Sequence, residues 1–158
     1  MKKLIFSLFI LSFLTQNLNA QSSQDEDALM LERLQNAYYT YLSNEGYIVK
    51  LEEDSEVSFK KEGKTYYITP YDEYTFEVSR WLELDEDVKC SEVFQMVNDF
   101  HFVRANERAL VFDPCSTIQI QSFSMLNEKN DWKGIFDSST TWLNNAVEDF
   151  WEVYDENF

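Results

Sequence analysis

Residues 56–82 read EVSFKKEGKTYYITPYDEYTFEVSRWL, and the fold prediction starts from these residues. Apolar and polar side chains alternate within it along three successive segments. The apolar positions of this alternation are Val57, Phe59, Tyr66, Ile68, Tyr74, Phe76 and Val78. A period of two residues is typical of β-strands that have one face covered and the other open. The stretch therefore predicts a three-stranded antiparallel meander.

Two tight turns are expected between these strands. Glu62 and Gly63 form the first turn, because glycine adopts a positive φ without steric cost. Residues 70–73 form the second turn, because Pro70 cannot donate a ladder hydrogen bond and Asp72 favours turns. The three strands are therefore consecutive neighbours in one sheet.

The segments around the meander predict three helices and a second hairpin. The helices are expected from Asp25 to Asn44, from Cys90 or Ser91 to Phe102, and from Asp131 to Tyr154, where apolar residues recur at helical spacing. The hairpin is expected from the alternation in Arg108 to Asp113 and in Ser116 to Phe123.

These elements predict an α+β fold with a five-stranded antiparallel sheet and three helices, in the order α-β-β-β-α-β-β-α. Residues Tyr47 to Leu51 are expected to be an extended lead-in to the meander. The tyrosines of the first helix, Tyr38, Tyr39 and Tyr41, are assigned to the core in preference to a binding surface, because such stripes usually pack inward.

The first 20 residues have the pattern of a signal peptide. Lys2 and Lys3 precede the apolar run Leu4 to Leu14, which is too short to span a bilayer, and Ala20 ends a cleavage site. Residues 1–20 are therefore expected to be removed near Ala20. Residues 21–158 would then form one soluble domain in the periplasm or outside the cell, and the pattern does not distinguish those two locations.

The charge balance restricts the class of partner. The chain has 29 acidic and 13 basic residues, which gives a net charge of −16. Such a surface repels nucleic acid and anionic lipid, and it favours a basic protein partner. Stable membrane insertion of the mature chain is not expected. The aromatic content of 16% argues for a packed core and against disorder.

Four short segments resemble the YbjN-type sensory transduction regulators. They are Phe59 to Lys64, Tyr66 to Ile68, Tyr74 to Phe76 and Met96 to Asp99. The resemblance covers about Leu29 to Trp151 and implies the type III secretion chaperone-like fold, with a tendency to bind proteins and no reaction. Members of that family are often cytoplasmic, whereas this chain begins with an export pattern, so chaperoning in the cytoplasm is not implied.

No catalytic or metal-binding constellation stands out. The chain has one histidine, two cysteines and three glycines, so neither a zinc site nor a phosphate-binding loop is expected. Cys90 and His101 would lie roughly 16 Å apart along one continuous helix, which excludes a nucleophilic dyad of these two residues. A pair of Cys115 and His101 is not excluded, but nothing in the sequence favours it. His101 is expected to be a partly buried structural residue. No cofactor is expected.

Two sets of residues are candidates for a special role. Cys90 and Cys115 form a disulfide if their backbones meet, which the expected oxidising compartment permits; two buried free thiols are the alternative. Trp142, Trp151 and Tyr154 exceed what one apolar stripe of the last helix can hold. They are therefore a candidate interface, and Trp142 is alternatively a lid on the core.

The leading hypothesis is an exported, non-enzymatic domain that binds another protein or a second copy of itself, in a chaperone-like or regulatory role. One alternative is a carboxylate-based hydrolase, which requires two acids with perturbed pKa in a deep pocket. Another is a carrier of a small ligand or lipid, which requires an apolar cavity that the helices leave unfilled.

Overall fold

A computed structural model describes residues 25–53, 55–85, 88–104, 107–112 and 114–157, and the expected signal peptide lies outside these ranges. The elements are α1 (residues 25–44), β1 (Ile48–Leu51), β2 (Val57–Lys61), β3 (Lys64–Thr69), β4 (Thr75–Glu83), α2 (Cys90–Val103), β5 (Glu107–Phe112), β6 (Thr117–Met125), a 3-10 helix (Asp131–Gly134) and α3 (Phe136–Asn157). None of the described helices is both long and apolar enough to cross a membrane.

The predicted meander and second hairpin are confirmed, but the prediction of five strands is wrong. All strands are antiparallel and form one six-stranded sheet in the order β1-β2-β3-β4-β6-β5. The additional strand is β1, within the segment that was expected to be a lead-in. It pairs with β2, so that Val49 lies opposite Phe59. Four residues are too few to show a clear alternation of apolar and polar side chains. The strand forms because its backbone hydrogen-bonds to β2, which would otherwise be an edge strand.

The turn between β2 and β3 has the backbone that the sequence predicts. Glu62 and Gly63 have φ values of 54° and 78°, as a two-residue turn with positive φ at both positions requires. A Cβ at Gly63 would meet nothing within 4 Å, so any penalty there comes from the backbone alone.

We expect Gly63→Ala to lower the free energy of unfolding by about 1 kcal/mol, because alanine is strained at positive φ. Urea denaturation measures the change. Gly134→Ala is the matched control, since an added Cβ there makes an ordinary 3.7 Å contact with Asp131 and no positive φ is involved. Equal effects of the two substitutions would contradict the assignment of the strain to the turn.

The helices pack on one face of the sheet. The residues that alternate inward on the strands are buried there, among them Val57, Phe59, Tyr66, Ile68, Phe76 and Val78. Tyr38 of α1 contacts Phe76 at 5.9 Å between ring centroids, and Phe136 of α3 contacts Phe59 at 5.5 Å. This confirms the assignment of the meander's apolar face to the core. Tyr74 is the exception, because at the start of β4 it is half exposed.

The third helix begins differently from the prediction. Residues 131–134 form a 3-10 turn, closed by the Ile135 N–H that donates to the Trp132 carbonyl at 3.1 Å, and α3 starts at Phe136. Trp132 is buried against Tyr38 at 4.7 Å and Tyr41 at 5.0 Å. The local sequence shows helical spacing, but the packing of Trp132 against α1 is a long-range contact that the pattern does not reveal.

The second helix is confirmed, with Val93, Val97 and Phe100 buried. The expectation of a partly buried His101 is wrong, because its side chain is exposed and Phe100 takes the inward position. His101 nevertheless has a structural contact: its Nε2 accepts a hydrogen bond from the Ala109 N–H at 2.9 Å. Since β5 is an edge strand, this bond pairs a backbone donor that lies at the sheet's edge.

Candidate binding face

The second face of the sheet carries the residues that alternate with the core positions. We call it the uncovered face, and it comprises Ser58, Tyr67, Thr69, Glu77, Ser79, Trp81, Leu110, Phe112, Gln119, Gln121 and Phe123. The hydrogen bonds and ring contacts of α1 and α3 with the inward positions of the strands are made on the opposite face. For example, Asn144 of α3 accepts a hydrogen bond from Tyr66, and Ser139 bonds with Ser124.

Short polar side chains form the floor of the uncovered face. Ser58 and Ser79 belong to one cross-strand row, in which Tyr67 lies between them and Gln121 follows. Gln121 donates to Gln119 at 2.9 Å, and Gln119 donates to the Ser79 hydroxyl at 3.1 Å. These four polar residues are buried. Taller side chains stand beside them on the same face.

The taller side chains are largely aromatic or apolar, and they lie towards the β5 edge. Trp81 contacts Phe112 at 4.5 Å between ring centroids, and Phe112 and Leu110 expose 38% and 39% of their surfaces. The Arg108 guanidinium lies 4.9 Å from the centre of the Phe123 ring. We call Trp81, Leu110, Phe112 and Phe123 the apolar end of the uncovered face.

Acidic residues lie at the other end, beside the β1–β2 connection. A groove of about 660 Å³ is lined there by Lys50, Glu52, Glu53, Glu56, Tyr67 and Trp81. The Lys50 ammonium and the Ser58 hydroxyl both donate to Glu52, and these two bonds lower the pKa of its carboxyl group. Glu56 accepts a hydrogen bond from Thr69 at 2.8 Å. We call Glu52, Glu53 and Glu56 the acidic end.

A buried carboxylate lies between the two ends. Glu77 has 0% of its surface exposed, and neither of its oxygens has a partner with full hydrogen-bond geometry among the described residues. Burial raises the pKa of Glu77 to about 7, and the nearby Tyr71 and Thr69 hydroxyls offset this only partly. Glu56 adds to the increase, whereas Arg108 opposes it. Burial, and then the charge of Glu77, raise the pKa of Tyr71 to about 12.

The candidate interface of α3 does not form one surface. Trp142 is half exposed, whereas Trp151 and Tyr154 are partly buried and contact each other at 5.3 Å. Tyr154 also donates to Asp85 at 3.0 Å, which ties the end of α3 to the segment after β4. Nine residues place Trp142 and Trp151 on opposite sides of a helix, about 13 Å apart along its axis. Among the described residues of α3, Trp142 is therefore separated from the pair formed by Trp151 and Tyr154.

The two cysteines are brought together. The structure joins Cys90, the first residue of α2, to Cys115 in the β5–β6 connection, with 5.4 Å between their Cα atoms. Helix and hairpin therefore meet within the distance that a disulfide requires. The oxidised state of the protein in its own compartment stays a prediction, and its test is given below.

The uncovered face was not predicted as a site, although two signals for it are present. Trp81 and Phe123 are large aromatic residues in the phase of β4 and β6 that otherwise holds mainly threonine, serine, glutamate and glutamine. An aromatic residue in the polar phase of a strand indicates either a second covered surface or a binding surface.

The described residues contain no group of three or more histidine, cysteine or acidic side chains that could hold a metal ion.

Comparison with known proteins identifies the fold. The sequence matches no protein-family model and no curated protein sequence. YbjN from E. coli aligns with a TM-score of 0.56 at 9% identity, over 77% of this chain and 90% of that one. An uncharacterised protein from Methanothermobacter thermautotrophicus aligns with a TM-score of 0.55 at 10% identity, over 78% and 99% of the two chains.

Type III secretion chaperones are more distant in structure. SycH from Yersinia pestis, solved with a fragment of YscM2, aligns with a TM-score of 0.44 at 11% identity, over 77% of this chain and 97% of that one. The alignment with YbjN supports the YbjN-like fold that the resemblance of the four short segments implies. At these identities the likeness concerns the fold alone.

Proposed function

We propose that this chain is an exported, non-enzymatic domain that binds another protein through the uncovered face of its sheet. The observation that carries this proposal is the apolar end: aromatic and aliphatic side chains remain accessible on a face that no described helix covers. Groups of exposed apolar side chains on a folded domain are typical of protein interfaces, where aromatic residues supply much of the binding energy.

Two further features support parts of the proposal. Export is supported by the apolar run and the basic residues of the first 20 positions, and the paired cysteines fit an oxidising compartment. A chaperone-like or regulatory role is the reading suggested by a YbjN-like fold without a recognisable catalytic motif. Nucleic acid is not a suitable partner for a chain with a net charge of −16.

The hydrolase alternative would depend on Glu77 and Glu56, the acids that interact on the uncovered face. A general acid must touch its substrate, and Glu77 has no accessible surface in this conformation. The carrier alternative requires an unfilled apolar cavity. Phe136 instead contacts Phe59, Phe76 and Tyr47 within 6.4 Å, so side chains of the chain itself fill the region between α3 and the sheet.

Site-specific photo-crosslinking in the native host tests the proposal. A photoreactive phenylalanine analogue at position 81 is expected to trap one discrete partner, because Trp81 lies where the two ends of the uncovered face meet. The same analogue at position 142 is the matched control, since Trp142 is also an exposed tryptophan but lies on α3. Crosslinks from position 142 and none from position 81 would move the interface to α3 and contradict the proposal.

A further inference from the structure

We infer that the partner presents a lysine or arginine side chain to the acidic end of the uncovered face, next to apolar side chains that contact the apolar end. This inference rests on the proposed function and adds the chemistry of the bound segment. It predicts a basic, amphipathic protein segment, and not a purely apolar or an acidic one.

The acidic end has the composition that a basic side chain needs. Among the described residues, three carboxylates and one ammonium group line the groove, and the ammonium is paired with Glu52. Glu53 is exposed at the mouth of the groove, and Glu56, which accepts a hydrogen bond from Thr69, is half-buried beside it. A carboxylate that is partly withdrawn from water interacts more strongly with a cation than one that is fully exposed.

The walls of the same groove are aromatic. Tyr67 and Trp81 line it together with the carboxylates, and both are half-buried. The methylene stem of lysine or arginine packs on aromatic faces, and its charged head is attracted to the ring's electron density. Aromatic walls beside carboxylates therefore favour a long basic side chain over a small inorganic cation, which would gain little from the rings.

The apolar end determines which residues the bound segment needs beyond its basic side chain. Beyond Trp81, the accessible side chains are Leu110 and Phe112, followed by Phe123 with Arg108 above its ring. Among the described residues, Arg108 is the only cationic side chain at this apolar end. It would repel a basic group of the partner. A segment that crosses the face is therefore matched by a basic residue at one end and apolar residues at the other.

Charge also decides between a foreign partner and a second copy. Two copies of this chain each carry a net charge of −16, and the acidic ends of their uncovered faces would repel each other. A basic partner is attracted electrostatically to the acidic surface as a whole, and it also makes a specific contact at the groove. A monomeric protein is therefore expected in sedimentation experiments at physiological salt.

Binding of short synthetic peptides tests this inference with the full mature chain. The probes are capped peptides of alternating leucine with arginine, with glutamine or with glutamate, and fluorescence anisotropy measures their affinities at about 150 mM salt. The leucine–arginine peptide is expected to bind at least about tenfold more tightly than the leucine–glutamine peptide, and the leucine–glutamate peptide should not bind.

Matched variants separate a specific contact from general attraction. The double substitution Glu53→Gln and Glu56→Gln should lower the affinity for the leucine–arginine peptide about tenfold. Glu32→Gln combined with Glu152→Gln removes the same charge from exposed positions on α1 and α3, and should leave the affinity nearly unchanged. Thermal melting checks folding, and Glu53→Gln alone replaces the first pair if the loss of the Glu56–Thr69 hydrogen bond destabilises the chain.

Three results would overturn the inference: equal weakening by both variant pairs, equal binding of the arginine and glutamine peptides, or no binding of any peptide. These outcomes differ from a failure of the proposed function. If position 81 still crosslinks to a partner while the peptides show no preference for arginine, the uncovered face binds a protein of different chemistry. If position 81 does not crosslink, the proposed function itself fails.

Discussion

We expect the free energy of unfolding of the parent protein to fall by about 3 kcal/mol as the pH rises from about 4.5 to about 7. Replacing Glu77 by glutamine is expected to remove most of this fall. In the folded chain the pKa of Glu77 is raised to about 7 by burial, whereas the ordinary value is 4.5. Between these two values the folded state holds one more proton than the unfolded state. The free energy of unfolding therefore falls as the pH rises from about 4.5 to about 7, and levels off above that.

Urea denaturation of both proteins at intervals from pH 4 to 9 measures this effect. The difference between the two curves isolates Glu77, because every other titrating group is present in both proteins. Glu77→Gln should be more stable than the parent at pH 8 and close to it at pH 4.5. Glu83→Gln, an exposed position on the same strand, is the control for the loss of one carboxylate. If the two stability curves run parallel between pH 4.5 and 7, the raised pKa of the buried Glu77 carboxyl group is contradicted.

Reduction of the Cys90–Cys115 bond is expected to lower the free energy of unfolding by about 3.5 kcal/mol. The two cysteines are separated by 25 residues, and closing a loop of that length restricts the unfolded chain by about this amount on the chain-entropy model. The bond also fixes the first residue of α2 to the β5–β6 hairpin, so its loss is expected to loosen the β5 edge of the sheet.

Mass spectrometry and denaturation test the bond at two levels. Protein isolated from its native compartment should resist alkylation until a reductant is added, and should then gain the mass of two alkyl groups. Urea denaturation with and without reductant gives the stability difference. The variant with Cys90→Ser and Cys115→Ser is the control, because a reductant should not change its midpoint. Alkylation of both cysteines in the absence of a reductant would refute the bond, and with it one support for export.

The sequence predicts the covered face of the sheet well because the cause is local. Val57, Phe59, Ile68 and Val78 recur at the period of a strand, and that period alone determines which side chains share a face. The strand β1 is not predicted in this way. Its four residues carry too little alternation, and the strand is formed by pairing with β2, which lies six residues further along the chain.

The candidate site is harder to predict because it depends on contacts that are distant in sequence. Glu77 occupies a polar phase of the alternation and is expected in water, yet it is fully buried. Tyr71 comes from the β3–β4 connection and Phe123 lies directly opposite Glu77 on β6; the two rings are 6.2 Å apart. Only the register of β4 with β6 and the path of that connection bring them together, and neither is encoded in a local pattern.

The most direct test of binding through the uncovered face is hydroxyl-radical footprinting of the tryptophans, with and without the partner trapped by crosslinking. Trp81 on the uncovered face and Trp142 on α3 report the two possible interfaces, and buried Trp132 is an internal reference. We expect the partner to protect Trp81 from oxidation and to leave Trp142 unchanged. Protection of Trp142 with continued oxidation of Trp81 would contradict binding through the uncovered face.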